Sequence, residues 1–296
     1  MKGLKKIGYL GPRGTFTEIA AKQAFPEDEL IPIRSIPKVI DHAFSKTIDF
    51  AVVPIENAIE GTVNVTLDYL IHQKPMPIVA SLSIGINQHL LMSPSKNVET
   101  YIPRKILSHP QAIAQCHRYL QMHYPEVEIE YADSTGQAAS WLAQHSNEDV
   151  CVIANEQAAK TYGLRIAARD IQDYDHNQTR FVVLSAKTQQ PITIKKRTHL
   201  GDKTSLMITL PSDFTGALHQ VLSAFAWRKL NLSKIESRPT KTGLGNYFFI
   251  IEVDQLMDDV LLPGAIAELT ALGCHVEVLG SYPSYSDQSV SAAIKQ

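Results

Sequence analysis

Residues 7–18 read Ile7-Gly8-Tyr9-Leu10-Gly11-Pro12-Arg13-Gly14-Thr15-Phe16-Thr17-Glu18. The apolar run ending at Leu10 predicts a short strand, and Gly11–Gly14 predicts the tight turn after it. Thr15-Phe16-Thr17-Glu18 has the spacing of a capping box, so a helix is expected from Phe16 to about Phe25. Strand, tight turn and helix N-terminus together open an α/β fold. The unpaired N–H groups and positive dipole end of such a helix suit a carboxylate or a phosphate. Gly8, Gly11 and Gly14 do not make the dinucleotide spacing, and Pro12 removes one donor, which leaves a small carboxylate or a ligand-free turn.

The same junction recurs downstream. A helix is expected over Ile36–Phe44, then a buried strand over Asp49–Val53 that ends at Pro54. Glu56, Asn57 and Glu60 follow, beyond the carboxyl end of that strand, where open α/β sheets bind ligands; taken singly, each also reads as an ordinary loop residue. After a helix over Thr62–Ile71, the segment Ile78–Ile86 alternates with period two and stays apolar to Leu91. A run of that length is expected to cross from one lobe to a second. Lys105–Leu107 is a strand, followed by Ser108-His109-Pro110-Gln111 and a helix to about Met122, with Gln111 and Gln115 on one face. His109 has no partner nearby in sequence and is assigned a structural role. Val127–Tyr131 is a strand, Ser134 and Thr135 cap a helix through Leu142, and Val150–Ile153 is another strand. A short helix from Glu156 ends near Gly163. After Leu164–Ala168 the chain reaches Asn177-Gln178-Thr179-Arg180-Phe181, where a hydroxyl and a guanidinium stand at the start of the apolar strand Val182-Val183-Leu184.

Lys187–Lys203 has no sustained apolar period and reads as a linker. From Thr204 a second unit begins: a strand over Leu206–Leu210, then a helix from about Thr215 with Leu218, Val221, Leu222 and Phe225 as one buried stripe. Strands Leu232–Ser237 and Tyr247–Val253 are joined by a turn over Thr240–Asn246. A helix over Asp258–Leu272 stops at Gly273, and Cys274–Leu279 is the last strand. The order βαββαβ is that of a ferredoxin-like domain. The polar tail from Ser281 is expected to be loosely ordered.

With 28 basic against 30 acidic residues in 296, the chain has no electrostatic bias toward nucleic acid or a membrane surface. Cys116, Cys151 and Cys274 are far apart and form no CxxC pair, so neither a disulfide framework nor a thiolate zinc site is expected, and a reducing cytoplasm is. No run of about twenty apolar residues exists to span a bilayer.

Taken in order, Gly11–Thr17, Val53–Asn57, Ser108–Gln111 with Gln115-Cys116, Asp133–Thr135 and Asn177–Phe181 resemble the motifs of the prephenate dehydratase family. Gly216-Ala217-Leu218 and Ile235-Glu236-Ser237-Arg238-Pro239 resemble those of a phenylalanine-sensing ACT domain. The resemblance runs from Gly8 to about Tyr282. It implies a catalytic domain over residues 1–186 built like a type II periplasmic binding protein, with a second lobe at roughly 80–175. A linker over 187–203, an ACT domain over 204–282 and a tail over 283–296 complete the division. It further implies Thr179, Glu56, Asn57, Ser108 and Gln115 as catalytic residues, and Thr15, Arg180, Phe181, Asn177, Ser134 and Thr135 around the substrate, with Arg180 clamping a carboxylate. Gly216, Ala217, Leu218, Glu236, Ser237, Arg238 and Pro239 would bind the effector L-phenylalanine between paired ACT domains of a homodimer or homotetramer.

The implied reaction converts prephenate to phenylpyruvate: loss of the ring carboxylate as carbon dioxide pushes out the hydroxyl on the opposite carbon. No metal, nicotinamide or other cofactor is expected. Ala58 departs from the family, many members of which carry Ser there, and one hydrogen bond is expected to be lost. The chain opens straight into the first lobe, so no fused chorismate mutase domain is expected upstream. The same reaction on arogenate and a non-catalytic small-molecule sensor are the alternatives.

Overall fold

Residues 7–18 fold as their spacing predicts. β1 (Lys6–Leu10) leads into α1 (Phe16–Ala24), whose N-cap Thr15 accepts from Glu18 N at 3.2 Å while the Glu18 carboxylate accepts from Gly14 N. The computed structural model describes residues 3–212, 215–239 and 247–287. β2 (Glu29–Ile33) has no counterpart among the expected strands. Pro32 interrupts its short apolar pattern, which is tolerated because β2 lies at the end of the sheet and pairs on one side only.

α2 (Ile36–Phe44) and β3 (Phe50–Asn57) follow. Pro54 does not end β3. Opposite it the register shifts, so that Ile55 is passed over between two opposed pairs, and a proline is accommodated at such a bulge. Glu56 and Asn57 therefore belong to the strand and not to a loop after it. β4 (Gly61–Thr62) pairs back on β3, and α3 (Asn64–His72) packs beside it.

β5 (Ile78–Gly85) and β6 (His89–Met92) carry the chain from the first lobe to the second, as the long apolar run predicts. The second lobe comprises β7 (Lys105–Ser108), α4 (Pro110–Gln115), α5 (His117–His123), β8 (Glu128–Tyr131), α6 (Thr135–Gln144), β9 (Val150–Ala154), α7 (Glu156–Tyr162) and β10 (Arg165–Ala168). Its sheet has the order β10-β6-β9-β7-β8. The single helix expected to Met122 is broken at Cys116. The return segment takes the bonds an unbroken helix would use: Asp173 N donates to the Gln115 carbonyl at 2.7 Å, and Arg118 N donates to the Asp173 carboxylate at 3.2 Å. β11 (Gln178–Leu184) then re-enters the first sheet between β5 and β3.

The C-terminal unit comprises β12 (Thr198–Thr209), α8 (Ala217–Ala226), β13 (Leu232–Pro239), β14 (Tyr247–Val253), α9 (Leu261–Ala271) and β15 (His275–Ser286). The order β13-β14-β12-β15 is the ferredoxin-like arrangement. The expected turn over 240–246 lies outside the described residues. Leu218 is exposed; the buried stripe of α8 is Ala217, Val221, Ala224 and Phe225. α9 starts at Leu261 because Asp258 stays outside it, accepting from Leu262 N at 2.9 Å.

Two further differences share one cause. β12 begins at Thr198, inside the stretch expected as linker, and β15 continues to Ser286, through the residues expected as a loose tail. The two extensions pair with each other, and Tyr282 and Tyr285 are buried between them and the first lobe. β15 also pairs in parallel with β5, and Ser81 Oγ donates to Ser284 Oγ at 2.9 Å. Gly280 is required at this junction, because a Cβ there would run into the Ile78 backbone. First lobe and C-terminal unit thus share a 10-stranded sheet. They also share a core, in which Leu70, Met76 and Ile78 lie in one buried cluster with Met207, Phe248, Ile250 and Tyr282. Among the described residues, no helix is long and apolar enough to cross a membrane.

Candidate active site

A cleft of ≈ 250 Å³ opens between the two lobes. The first lobe contributes Leu10, Gly11, Thr15, Pro54, Asn57, Thr179 and Phe181; the second contributes His109, Gln111, Gln115, Ser134 and Thr135, with Ile86 and Gln88 at the crossover. The lobes touch beside it. Asn155 Nδ2 donates to the Gly14 carbonyl at 2.9 Å, and the Tyr162 hydroxyl donates to the Arg13 carbonyl at 2.9 Å. Gly136 allows the start of α6 to approach that turn: a Cβ there would sit 3.0 Å from the Arg13 carbonyl oxygen.

Thr179 and Asn57 are directly opposed across β11 and β3, both nearly buried. Asn57 Oδ1 accepts from Ile59 N at 3.0 Å and Glu60 N at 3.1 Å, which fixes the orientation of its amide. Asn57 Nδ2 must therefore face β11, where it donates to Thr179 Oγ1 at 2.9 Å and to Asn177 Oδ1 at 3.1 Å. The Thr179 hydroxyl is an acceptor in that bond, so its own proton is left to point into the cleft. Asn177 is buried behind this pair and orients Asn57 without lining the cleft.

The polar residues of the other walls sit at helix starts. Thr15 caps α1, and its hydroxyl donates to the Leu10 carbonyl at 3.1 Å, so what this turn offers a ligand is backbone N–H. Ser134 caps α6, accepting from Gln137 N at 3.0 Å, with Thr135 at the first helical position. His109 caps α4 through Nδ1, which accepts from Gln111 N at 3.3 Å, and also lines the cleft, more than the structural role expected of it. Gln88 is the residue the sequence reading missed. It is 3 % exposed, faces the cleft, and its Oε1 has no hydrogen-bond partner. It sits in the polar triplet Asn87-Gln88-His89 between Ile86 and Leu90, which belongs to no motif and does not mark one of its three residues above the others.

Besides Asn177, three of the expected site residues lie outside the cleft. Ser108 is fully buried, and its hydroxyl donates to the Ile153 carbonyl at 2.7 Å, tying β7 to β9. Glu56 and Arg180 face the opposite side of the sheet from Asn57 and Thr179, because successive side chains of a strand alternate. There they line a cavity of ≈ 630 Å³ with Gln178, Lys203, Lys234 and Glu252. Arg180 Nη2 donates to Glu56 at 2.7 Å and to Glu252 at 2.6 Å, and Nη1 donates to the other Glu252 oxygen at 2.9 Å. Lys234 Nζ donates to Glu56 at 3.0 Å. Burial pushes the Glu56 carboxyl up, but the Arg180 and Lys234 cations outweigh it and hold it below the usual carboxylate value. Arg180 is thus a buried ion-pair residue and no carboxylate clamp. Ala58 lines the same far cavity, so the absence of Ser there removes no hydrogen bond from the cleft.

The expected effector residues divide likewise. Glu236 and Arg238 point at the first lobe: Arg238 donates to Asn64 at 2.7 Å and to Asp68 at 2.7 Å, and Glu236 accepts from Thr62. Ser237 and Pro239 occupy the exposed side of β13, Gly216 and Leu218 are exposed at the start of α8, and Ala217 is buried. Among the thiols, burial pushes Cys116 and Cys151 up to about 12, which leaves them inert at neutral pH.

Residues 7–189 match the family model described as prephenate dehydratase, and residues 204–263 match that of the ACT domain. A prephenate dehydratase of Bacillus subtilis is 54% identical over 95% of this chain and 99% of its own length. Among solved structures, a prephenate dehydratase of Arthrobacter aurescens in complex with L-Phe superposes with a TM-score of 0.80 at 33% identity, covering 94% of this chain and 89% of that one. The enzyme of Staphylococcus aureus does so with a TM-score of 0.78 at 32% identity, covering 94% and 99%. The cleft, the two-lobed α/β frame around it and the ferredoxin-like unit behind it are thus those of known relatives, and the chain belongs to the prephenate dehydratase family.

Proposed function

We propose that the interlobe cleft catalyses the decarboxylating dehydration of prephenate, with Thr179 as hydrogen-bond donor to the departing oxygen. The observation that carries this assignment is the Asn57–Thr179 bond at 2.9 Å, which leaves the threonine proton as the donor aimed into the cleft. Prephenate loses its ring carboxylate as carbon dioxide. The electrons of that carbon–carbon bond pass through the ring and break the carbon–oxygen bond on the opposite side, which makes the ring aromatic. Hydroxide is a poor leaving group, and one proton turns it into water; Thr179 supplies the hydrogen bond and relays that proton, regaining one from solvent. The bond that Thr179 Oγ1 accepts from Asn57 Nδ2 restrains the hydroxyl from rotating away.

The residues lining the cleft include no Lys or Arg among the described residues, so the carboxylates are held by the starts of α1 and α6, whose N–H groups and dipoles favour anions. Gln115 and the unpartnered Gln88 amide supply neutral hydrogen bonds, and Phe181 and Pro54 pack on the ring. The C-terminal unit is the regulatory domain: it binds L-phenylalanine and inhibits at a distance, which requires that the effector bind one state better than another. The crystallised Arthrobacter relative with bound L-Phe supports that reading. The enzyme works in the cytoplasm as a homodimer or homotetramer, with the catalytic domain ending near residue 186 and the regulatory domain following the linker.

Purified enzyme supplied with prephenate should yield phenylpyruvate and carbon dioxide in equal amounts, faster than it acts on arogenate, and saturating phenylalanine should slow it. No phenylpyruvate above the spontaneous rate overturns the assignment. Gln88→Leu removes one substrate hydrogen bond, and the expected rise in KM is about fivefold; an unchanged KM removes Gln88 from the site.

A further inference from the structure

The guanidinium of Arg180 lies on the far side of the sheet from the cleft, yet Arg180 is the residue next to Thr179. Across the strand pair, Arg180 stands opposite Glu56, and the next opposed pair is Thr179 and Asn57. The pair that is ion-bonded and the pair that faces substrate are therefore consecutive rungs of one ladder, and rigid peptide units connect them. The first rung is gripped from outside the first lobe. Glu252 of β14 is buried at 4 % exposure and takes Arg180 in a two-pronged bond, 2.6 and 2.9 Å, that only a planar guanidinium can make. Lys234 of β13 holds the other member, Glu56, at 3.0 Å. Beyond this rung, between Arg180 and Phe181, the register is irregular, so the Arg180–Glu56 rung stands between a bulge on one side and the catalytic pair on the other.

Attachment of the two units does not need this cluster. They already share a hydrophobic core and the β5–β15 pairing, and a buried ion pair adds little net stability over apolar residues of similar size. What the pair adds is geometry. We propose that Glu252 is a positioning residue for the reaction: through Arg180 it fixes the rung next to Asn57 and Thr179, so that the regulatory unit sets the aim of the Thr179 hydroxyl. Glu252 touches no substrate, and the inference rests on Thr179 being the catalytic hydroxyl.

The test uses the full-length enzyme. Glu252→Gln keeps the volume and removes the charge; kcat should fall on the order of tenfold to a hundredfold, the loss expected for a small misplacement of a reacting group. KM for prephenate should stay within about twofold, since no substrate contact is lost. The apolar pair Arg180→Met with Glu252→Met restores the melting temperature without restoring kcat. Parent kcat in Glu252→Gln, or recovery of parent kcat in the apolar pair, overturns the proposal and reduces the cluster to an adhesive. If Glu252→Gln does not fold, Glu252→Asp decides, with lowered kcat at unchanged KM expected and parent kcat overturning. Thr179→Ala is assayed beside them: if it keeps full activity, the catalytic assignment has failed, whereas an inactive Thr179→Ala with parent-like Glu252 variants sinks only this inference.

Discussion

Thr179→Ala should lower turnover at least about a hundredfold with the fold intact, while Thr179→Ser retains much more, because positioned proton transfer contributes roughly 10²- to 10⁴-fold. The fold tolerates the change because Asn57 Nδ2 keeps two other acceptors, Asn177 Oδ1 at 3.1 Å and the Gln178 carbonyl at 3.3 Å. No buried donor is stranded, so the melting temperature should scarcely move. Serine keeps the oxygen that accepts from Asn57 and the proton it presents, and loses only the methyl group that restricts its rotation. Initial rates of phenylpyruvate formation, measured beside thermal melts, separate the two variants. Equal activity in both would remove the threonine hydroxyl from the mechanism while leaving the family unchanged.

The second large effect is on stability. Glu252→Ala leaves the Arg180 guanidinium, a side chain only 10% exposed, with the half-exposed Glu56 as its remaining carboxylate, and breaking a buried pair in this way costs about 3–5 kcal/mol. Denaturant unfolding should report that loss. Arg180→Lys loses the two-pronged geometry and should also unfold more easily, while KM for prephenate stays at the parent value, because the side chain faces away from the cleft; a raised KM would return Arg180 to the substrate. The cluster also makes stability fall in acid. The folded-state carboxyl of Glu56 is held below its ordinary value, so its contribution is complete above the unfolded value and disappears as pH drops through the folded one.

Much of this is legible in the sequence alone. α2 and β14 have the bounds that their apolar patterns predict, and the capping signals at Thr15 and Ser134 mark two helix starts that form cleft walls. What the motifs hid was which way each strand faces. A motif such as Thr179-Arg180-Phe181 presents three residues as one group, yet a strand turns alternate members to opposite sides, and β11 sends Thr179 and Phe181 one way and Arg180 the other. Period-two alternation was available in the sequence and would have separated Arg180 from Thr179. The reach of β3 past Pro54 was not available, since it depends on a register shift in a partner strand more than a hundred residues away. Nor could polarity identify the stretch 281–286 as strand, because those residues are ordered by pairing with β12 and β5 and not by their own pattern.

The closing strand of the regulatory unit has one more effect. β5, Ile78–Gly85, carries no charge and no proline, and its seven residues from Ile78 to Ile84 are buried. A strand of that character left bare is a template for pairing with other chains, which natural proteins avoid with lysines, prolines or bulges. β5 has neither lysine nor proline, and β15 covers it. The catalytic half is therefore not closed by its own strands: cut free near residue 197 it should expose a sticky seam and self-associate, so the C-terminal unit also acts as the cover that keeps the first sheet from pairing with other copies.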